Sequence, residues 1–341
     1  DIILNLSPDA PRPPGRWKEI VWQPDNMWIA KWDDKLRGVE KYVWIADSSF
    51  LKQKKEIDKF NAALRLEEKI PALTRHIMEG LKSPDVKRRK VATVCYLINK
   101  LKIRVGDEKD KDEADTVGAT TLRPEHVTIS NGNMVRFDFL GKDSVRFIRE
   151  VQLPDQVVEN LKGFIQTANS SIFQGVRSEV VSDFLGEVAE GVTAKVFRTF
   201  YASQAVREYL RANPVDRAAP DYLKKHVAVM ANLQAAITLN HKRKLPKKWQ
   251  ESLDKKKARL KDLKAKRRKA ETAIAKLRLK IEEMKATKEY NLGTSLKSYI
   301  DPRIYYDWGR RVDFDWKLFY SKTLQRKFSW VEQPVDNQRQ S

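Results

Sequence analysis

Three tyrosines fall within one short stretch near the C-terminal end of the chain, LGTSLKSYIDPRIYYDWG. Asp301 and Pro302 have the residue types of a helix N-cap and a first helical position, which predicts a new helix that carries Tyr305 and Tyr306 as packing residues. Tyr299 precedes that break, so its phenol can be presented to a substrate. A phenol attacks phosphorus when cations hold the phosphate and stabilise the negative charge of the transition state. The stretch therefore suggests attack of a tyrosine on a phosphodiester, and the alternative is that all three rings only pack.

The composition indicates a polyanionic partner. The 341 residues include 67 Lys and Arg against 46 Asp and Glu, a formal net charge of +21, so we expect nucleic acid before an acidic membrane. The single cysteine, Cys95, and the lack of a secretory apolar segment predict an intracellular, reducing compartment. No apolar run is long enough for a membrane span. Because the first residue is Asp rather than Met, we also expect the chain to begin inside a longer protein.

The pattern of apolar residues predicts a mainly α-helical fold with a small antiparallel β component. Residues 17–46 alternate aromatic and polar positions, as a small sheet does, and we expect their five tryptophans to pack rather than to stack on bases. Residues 51–105 have helical periodicity with a break at Ser83-Pro84, and residues 156–240 are helical again.

Two further segments have distinct patterns. Residues 133–150 contain MVRFDF and SVRFIREV on either side of LGKD, which predicts a β-hairpin with Lys142 at its tip. Between Lys242 and Tyr290 there are 20 basic and 7 acidic residues, and the apolar residues follow a heptad frame. This pattern predicts a basic coiled-coil arm, either one long helix or a helical hairpin that turns near residues 264–271.

Several other chemistries lack their motifs. The GKDS at 141–144 is not a Walker loop, because that pattern needs a glycine where the chain has Arg136. The four histidines are scattered and there is no cysteine pair, so we expect no zinc site. The acidic stretch at 107–115 is interleaved with lysine and predicts a solvated loop rather than a two-metal site. What remains is phosphodiester chemistry by arginine, lysine, histidine and tyrosine, which needs neither ATP nor a metal.

Five motifs in a fixed order resemble those of the eukaryotic kind of type IB DNA topoisomerases, which also occur in some archaea. They are KLKIRVGDEKDKDEADTVGATTLRPEHV, FDFLGKDSVRF, GVTAKVFRTFYAS, NHKR and LGTSLKSYIDPRI, with the basic arm between the last two. The resemblance extends from residue 1 to about residue 330. It implies the catalytic fold that this family shares with the tyrosine recombinases, and it implies relaxation of supercoiled DNA. It also implies a catalytic core at 1–243, a linker at 244–290 and a C-terminal domain at 291–341.

The resemblance assigns roles at the matching positions. It implies that Tyr299 forms a 3′-phosphotyrosyl link, that Arg104, Arg198 and His241 hold the oxygens of the scissile phosphate, and that Lys142 protonates the leaving 5′ oxygen. The link keeps the phosphoester energy, so strand rotation and religation would need no cofactor. Further DNA contacts would come from Lys109, Thr116, Asp143, Ser144, Lys195, Thr294 and Ser298.

The chain departs from the family in three respects. Ser298 stands where the family usually has Asn, which predicts resistance to camptothecin-type poisons. The linker arm is shorter than that of the animal enzyme, and the upstream cap lobe that closes over DNA lies outside these residues. The resemblance implies double-stranded DNA and that cap lobe as partners, and it implies no membrane. It also implies a monomer that acts on the chromosome, in a nucleus or in an archaeal nucleoid.

Two alternative functions remain open at the level of sequence. The first is a tyrosine site-specific recombinase, although Lys195 stands where recombinases usually place a histidine. The second is a catalytically silent architectural DNA-binding protein, for which the net charge and the basic arm would be sufficient.

Overall fold

The computed structural model describes residues 1–106, 116–141, 145–265 and 270–333. The chain divides into two compact units. The first is formed by Asp1–Glu56 and Gln325–Ser341, and the second by Ile57–Leu324. Within the described ranges no helix is both long and apolar enough to cross a membrane.

The first unit is built on a four-stranded sheet in the order β2-β1-β3-β4. The strands are β1 (Ile2–Asn5), β2 (Glu19–Val21), β3 (Trp28–Asp34) and β4 (Val39–Trp44). β3 pairs antiparallel with β4, as expected, and also with β1, which lies outside the predicted segment 17–46, whereas β1 and β2 run parallel. The long connection between β1 and β2 permits the crossover that parallel pairing requires, and the alternating pattern contains no signal for it.

The tryptophans of this sheet differ in burial. Trp28 is 5% exposed, whereas Trp22 and Trp44 are 52% and 54% exposed. The prediction that these rings pack is therefore wrong for Trp22 and Trp44. Trp44 lies on the edge strand β4 and stacks on Tyr42 at the surface, with 5.2 Å between ring centroids.

Two consecutive helices follow, α1 (Phe50–Gly80) and α2 (Val86–Leu101). The second unit contains all of α2 and all of α1 from Ile57 onward. The carboxylate of Asp85 accepts two backbone N–H bonds from the first turn of α2 and caps it, which agrees with the predicted break at the preceding Ser-Pro step. The helix ends at Lys102, whose backbone is left-handed with φ 57°. This ending directs the chain into the extended segment that carries Arg104.

A three-stranded antiparallel sheet follows, in the order β5-β6-β7. Its strands are β5 (Val127–Ile129), β6 (Met134–Leu140) and β7 (Arg146–Gln152). β6 and β7 pair along their whole length at the position where the pattern predicts a hairpin. The N–H of Gly141 donates to the carbonyl of Val145 at 2.8 Å, so the two strands remain paired up to residues 141 and 145.

Four helices complete the body of the second unit. They are α3 (Asp155–Gln166), α4 (Ser178–Gly186), α5 (Ala194–Ala212) and α6 (Asp221–Thr238). The hydroxyl of Thr193 accepts the N–H of Val196 at 3.4 Å and caps α5, which packs along α6. Buried side chains from α1 to α5 and from the sheet form one core, in which Leu66, Leu97 and Phe137 have no exposed surface.

The basic arm consists of two helices in contact, α7 (Trp249–Ala265) and α8 (Glu271–Ala286). The helical hairpin is therefore the correct alternative, and a single long helix is excluded. The two ends of the arm lie side by side, since the N–H of Arg243 donates to the carbonyl of Glu289 at 2.8 Å.

Three α-helices follow the arm in the described part of the chain: α9 (Leu292–Ser298), α10 (Pro302–Val312) and α11 (Lys322–Lys327). The carboxylate of Asp301 accepts the N–H of Arg303 at 3.0 Å, which confirms the predicted N-cap of α10. Tyr305 is buried and donates to the carbonyl of Ala228 at 3.1 Å, so it packs as predicted. The predicted burial of Trp308, Trp316 and Trp330 is also confirmed.

Candidate active site

The candidate site is centred on Arg198, in the second turn of α5. Its guanidinium is 7% exposed and donates from Nη1 to the hydroxyl of Tyr299 at 3.3 Å. From Nη2 it reaches the carbonyl of Leu239 at 3.3 Å and Nε2 of His241 at 3.0 Å. One buried cation therefore touches the nucleophile candidate and a second phosphate-binding candidate, although these residues lie 101 and 43 positions away in the sequence.

His241 is held on both sides of its ring. Asn240 has a left-handed backbone with φ 52° and turns the chain out of α6. The carbonyl of His241 accepts the N–H of Asn291 at 2.7 Å, which ties it to the start of α9. Its Nδ1 lies 2.7 Å from the hydroxyl of Ser295. Because a guanidinium only donates, Nε2 accepts from Arg198 and the geometry places the ring proton on Nδ1, facing Ser295.

Tyr299 ends α9, and its position is fixed through its backbone. Its N–H donates to the carbonyl of Ser295 at 2.9 Å, and its carbonyl accepts from the hydroxyl of Ser203 at 3.4 Å. The ring is 9% exposed and lies 4.8 Å from the Arg198 guanidinium and 5.0 Å from the His241 ring. A positive charge thus lies beside the phenol oxygen, where it stabilises the anion that attacks an electrophile.

Arg104 enters the site from the segment that follows α2. Its guanidinium donates to the hydroxyl of Thr116. The segment is fixed by a close backbone approach, because a Cβ on Gly118 would lie 2.4 Å from Cα of Gly106 and 2.8 Å from the carbonyl oxygen of Arg104. Glycine is needed at this contact for lack of space, and Gly106 also has φ +132°.

The electrostatics of the site suit an anion. Burial lowers the pKa of Arg198, the neighbouring Tyr299 opposes this change, and the positive charge of Arg104 lowers the pKa further. No carboxylate of the described residues forms an ion pair with Arg198, and none of their atoms accepts a hydrogen bond from its Nε. A buried guanidinium without a carboxylate is unusual, and an anionic ligand would supply the missing charge.

A cavity of about 50 Å³ joins these residues to the hairpin. Its lining includes Arg104, Arg198, His241 and Thr294, together with residues at or just beyond the paired ends of β6 and β7, namely Phe139, Gly141, Val145 and Phe147. The residues that flank position 142 therefore face the same cavity as the three phosphate-binding candidates.

The remaining predicted DNA contacts have different positions. Lys109, Lys142, Asp143 and Ser144 lie outside the described residues. Thr116 contacts Arg104, and Thr294 lines the cavity. Lys195 is exposed on α5, three residues before Arg198. Ser298 lies outside the cavity lining, and its carbonyl accepts from Nζ of Lys59 at 3.0 Å.

Sequence reasoning missed three polar residues around the site. Ser295 contacts the ring of His241, and Ser203 holds the carbonyl of Tyr299. The only signal in the sequence is the spacing of four residues between Ser295 and Tyr299, which places this pair on one helix face. Lys102 is the third. Its amine lies 3.0 Å from the centroid of the Tyr201 ring and 3.1 Å from Oδ1 of Asn99.

The described residues contain no group of three or more His, Cys, Asp or Glu side chains arranged to hold a metal ion. The donor groups at the site are instead guanidinium, imidazole and hydroxyl groups, which bind phosphate oxygens directly.

Comparison with known proteins gives two family matches that together cover most of the chain. Residues 48–274 match the catalytic core of eukaryotic DNA topoisomerase I, and residues 271–340 match the C-terminal topoisomerase domain. The chain is 33% identical to DNA topoisomerase 1 of Caenorhabditis elegans over 97% of its own length and 46% of that protein. It is 33% identical to the Drosophila melanogaster protein over 98% and 37%, and 32% identical to the Homo sapiens protein over 98% and 50%. It thus spans about half the length of these relatives or less.

Proposed function

The chain belongs to the eukaryotic DNA topoisomerase I family, and from that premise we propose that it is a type IB topoisomerase that relaxes supercoiled duplex DNA by cleaving and resealing one strand. The observation that carries this proposal is the contact of the buried Arg198 guanidinium with both the Tyr299 hydroxyl and the His241 ring. The proposed nucleophile and two proposed phosphate-binding groups thus lie in contact with one another.

The first step is binding of the scissile phosphate. Arg104, Arg198 and His241 take its non-bridging oxygens, and the phosphate supplies the negative charge that Arg198 lacks within the described residues. In the free protein Arg198 Nη2 is directed at Nε2 of His241, 3.0 Å away, so an entering phosphate oxygen takes over this contact. Nε2 takes up a proton from solvent and then donates to the same phosphate, while Ser295 keeps the ring oriented through Nδ1.

The second step is transesterification. The Tyr299 hydroxyl loses its proton to solvent and its oxygen attacks phosphorus, the bond from phosphorus to the 5′ oxygen breaks, and a 3′-phosphotyrosyl ester and a free 5′ hydroxyl result. Lys142, which follows the cavity-lining Gly141, donates the proton that the 5′ oxygen takes up. One phosphoester replaces another, so the reverse reaction reseals the strand after rotation without ATP or a metal.

The finer assignments are part of the same proposal. The second set of DNA contacts is Lys109, Thr116, Asp143, Ser144, Lys195, Thr294 and Ser298. The domains are a catalytic core at 1–243, a linker at 244–290 and a C-terminal domain at 291–341. We propose a monomer that works inside the cell on chromosomal DNA, together with an upstream cap lobe. Support for DNA as the partner comes from the family and from the formal charge of +21.

Trapping of the covalent intermediate tests the proposal. The protein is mixed with a supercoiled plasmid without ATP or Mg²⁺, quenched with detergent, and digested to show whether protein is attached to a 3′ end. We expect an adduct and relaxation with the natural sequence, and neither with Tyr299→Phe, while the affinity for DNA stays within about twofold.

The matched control is Tyr306→Phe, which removes a phenol oxygen from α10 outside the site. This variant should relax DNA at the natural rate. An adduct formed by Tyr299→Phe, or relaxation by the natural chain without any 3′-linked adduct, would overturn the assignment. Exchange of strands between two marked DNA sites would indicate a recombinase instead.

A further inference from the structure

A second cleft lies between the C-terminal half of α5 and the helix α10. Its volume is about 390 Å³, within the range of pockets that take ligands. Three arginines line it, Arg207, Arg211 and Arg311, together with apolar residues that include Pro214, Val215 and Ile304. We call this cleft the arginine groove.

The arginine groove is separate from the candidate active site. Arg211 follows Arg198 by thirteen residues along the same helix, which corresponds to about 20 Å at the rise of an α-helix. No residue lines both the groove and the cavity of the candidate active site. A ligand in the groove would therefore not occupy the place of the scissile phosphate.

The charges of the groove are only partly balanced. Arg207 forms an ion pair with Glu67, with 3.1 Å between Nη2 and Oε2. Neither Arg211 nor Arg311 has an acidic partner within ion-pair distance in the part of the chain that the structure describes. Asp307 is the acid of α10 and lines a neighbouring cleft with Arg310 and Arg311, and Glu208 is the acid of α5. Neither of these two carboxylates lines the groove. Positive charge therefore exceeds negative charge here, and the groove favours an anion.

The apolar side chains limit the kind of anion. Guanidinium groups bind carboxylates and phosphates equally well through two parallel hydrogen bonds. A nucleic acid backbone, however, would present only phosphate and sugar to the groove and would leave the partly exposed Pro214, Val215 and Ile304 without an apolar partner. Clusters of arginine beside an apolar pocket are typical of sites for acidic peptides with a hydrophobic anchor.

We propose that the arginine groove binds an acidic peptide segment of a partner protein, in which one apolar side chain enters the groove and flanking carboxylates pair with Arg211 and Arg311. The site would attach the enzyme to a partner without competing with DNA at Tyr299.

Fluorescence anisotropy with two labelled peptides tests this inference. One is a short peptide of Glu and Asp around a central Phe, and the other has Ser in place of that Phe. The proteins are the full chain, Arg211→Glu, Arg311→Glu, and the control Arg75→Glu, which changes the net charge equally at an exposed position of α1. Measurement at about 0.15 M salt screens long-range attraction.

We expect the Phe peptide to bind more tightly than the Ser peptide, and its affinity to fall at least tenfold with Arg211→Glu and with Arg311→Glu but less than twofold with Arg75→Glu. The variants Arg211→Gln and Arg311→Gln, with unchanged thermal unfolding midpoints, should show the same order of loss. Equal binding of the two peptides, or an equal loss with Arg75→Glu, would overturn the inference. A larger loss for labelled duplex DNA than for the peptide would assign the groove to nucleic acid instead.

Discussion

Replacement of Lys102 by Met should stabilise the protein in a strongly pH-dependent manner. The amine of Lys102 lies over the Tyr201 ring and beside Asn99, and burial, together with the positive charges of Lys100 and Arg149, lowers its pKa from 10.5 to about 7. The charged amine is therefore less stable in the folded chain than in the unfolded chain, where the ordinary pKa applies.

The lowered pKa fixes the direction and the size of the effect. Below pH 7 the amine is protonated in both states, and the full difference of 3.5 pH units corresponds to a cost of about 5 kcal/mol. Above pH 7 the folded state gives up its proton first, so the cost falls as the pH rises and is about 2 kcal/mol at pH 9. Attraction between the ammonium and the Tyr201 ring, about 1–2 kcal/mol, opposes this cost. The stability gained by Lys102→Met should therefore fall by about 1–3 kcal/mol between pH 6 and pH 9.

Urea unfolding of both proteins at pH 6 and at pH 9 measures this difference, because all other titrating groups contribute equally to the two chains. Lys87→Met is the matched control, since Lys87 is exposed on α2 and is not one of the charges that act on Lys102, so its replacement should give little pH dependence over this range. A gain that is the same at both pH values, or a loss of stability at pH 6, would refute the reasoning. The result also concerns the active site, because Lys102 lies two residues before Arg104 and contacts the helix that carries Arg198.

Three further predictions concern the site and the helices around it. Ser295→Ala removes the hydroxyl beside Nδ1 of His241 and should slow plasmid relaxation about five- to tenfold, so an unchanged rate would contradict the orienting role. Asp301→Ala removes both the cap of α10 and the buried ion pair with Arg303, and it should lower the free energy of unfolding by about 2–4 kcal/mol. A loss below about 1 kcal/mol in urea unfolding would show that the protein does not depend on this cap. Ser298→Asn should increase the amount of covalent complex that a camptothecin-type poison traps, and equal drug titration curves for the two proteins would exclude this residue as the cause of resistance.

Much of the local structure could be predicted from the sequence because its causes are local. The Asp301-Pro302 pair starts α10, as its residue types predict, and thereby separates Tyr299 from Tyr305. The alternation of MVRFDF places Phe137 and Phe139 in the core of the second sheet. Each of these features depends on neighbours within a few residues, which the chain displays directly.

The arrangement of the site could not be predicted in the same way. No local pattern brings Arg198 to Tyr299, which lies 101 residues away, and the resemblance to a family was needed to name the two together. The parallel pairing of β1 and β2 depends on a crossover, and the low pKa of Lys102 depends on the packing of α2 against α5. Such features arise from tertiary contacts between distant segments.

The closed base of the basic arm has a consequence for the evolution of its length. The chain leaves the body at Arg243 and returns at Glu289, and these residues are hydrogen-bonded at 2.8 Å. An insertion between two points that are already fixed together leaves its base in place, and even a flexible loop loses only about 0.6 kcal/mol of closure entropy for each doubling of its length. A longer or shorter arm should therefore leave the position of Tyr299 nearly unchanged. The length of the arm can then vary in evolution without disturbing the contacts among Arg198, His241 and Tyr299.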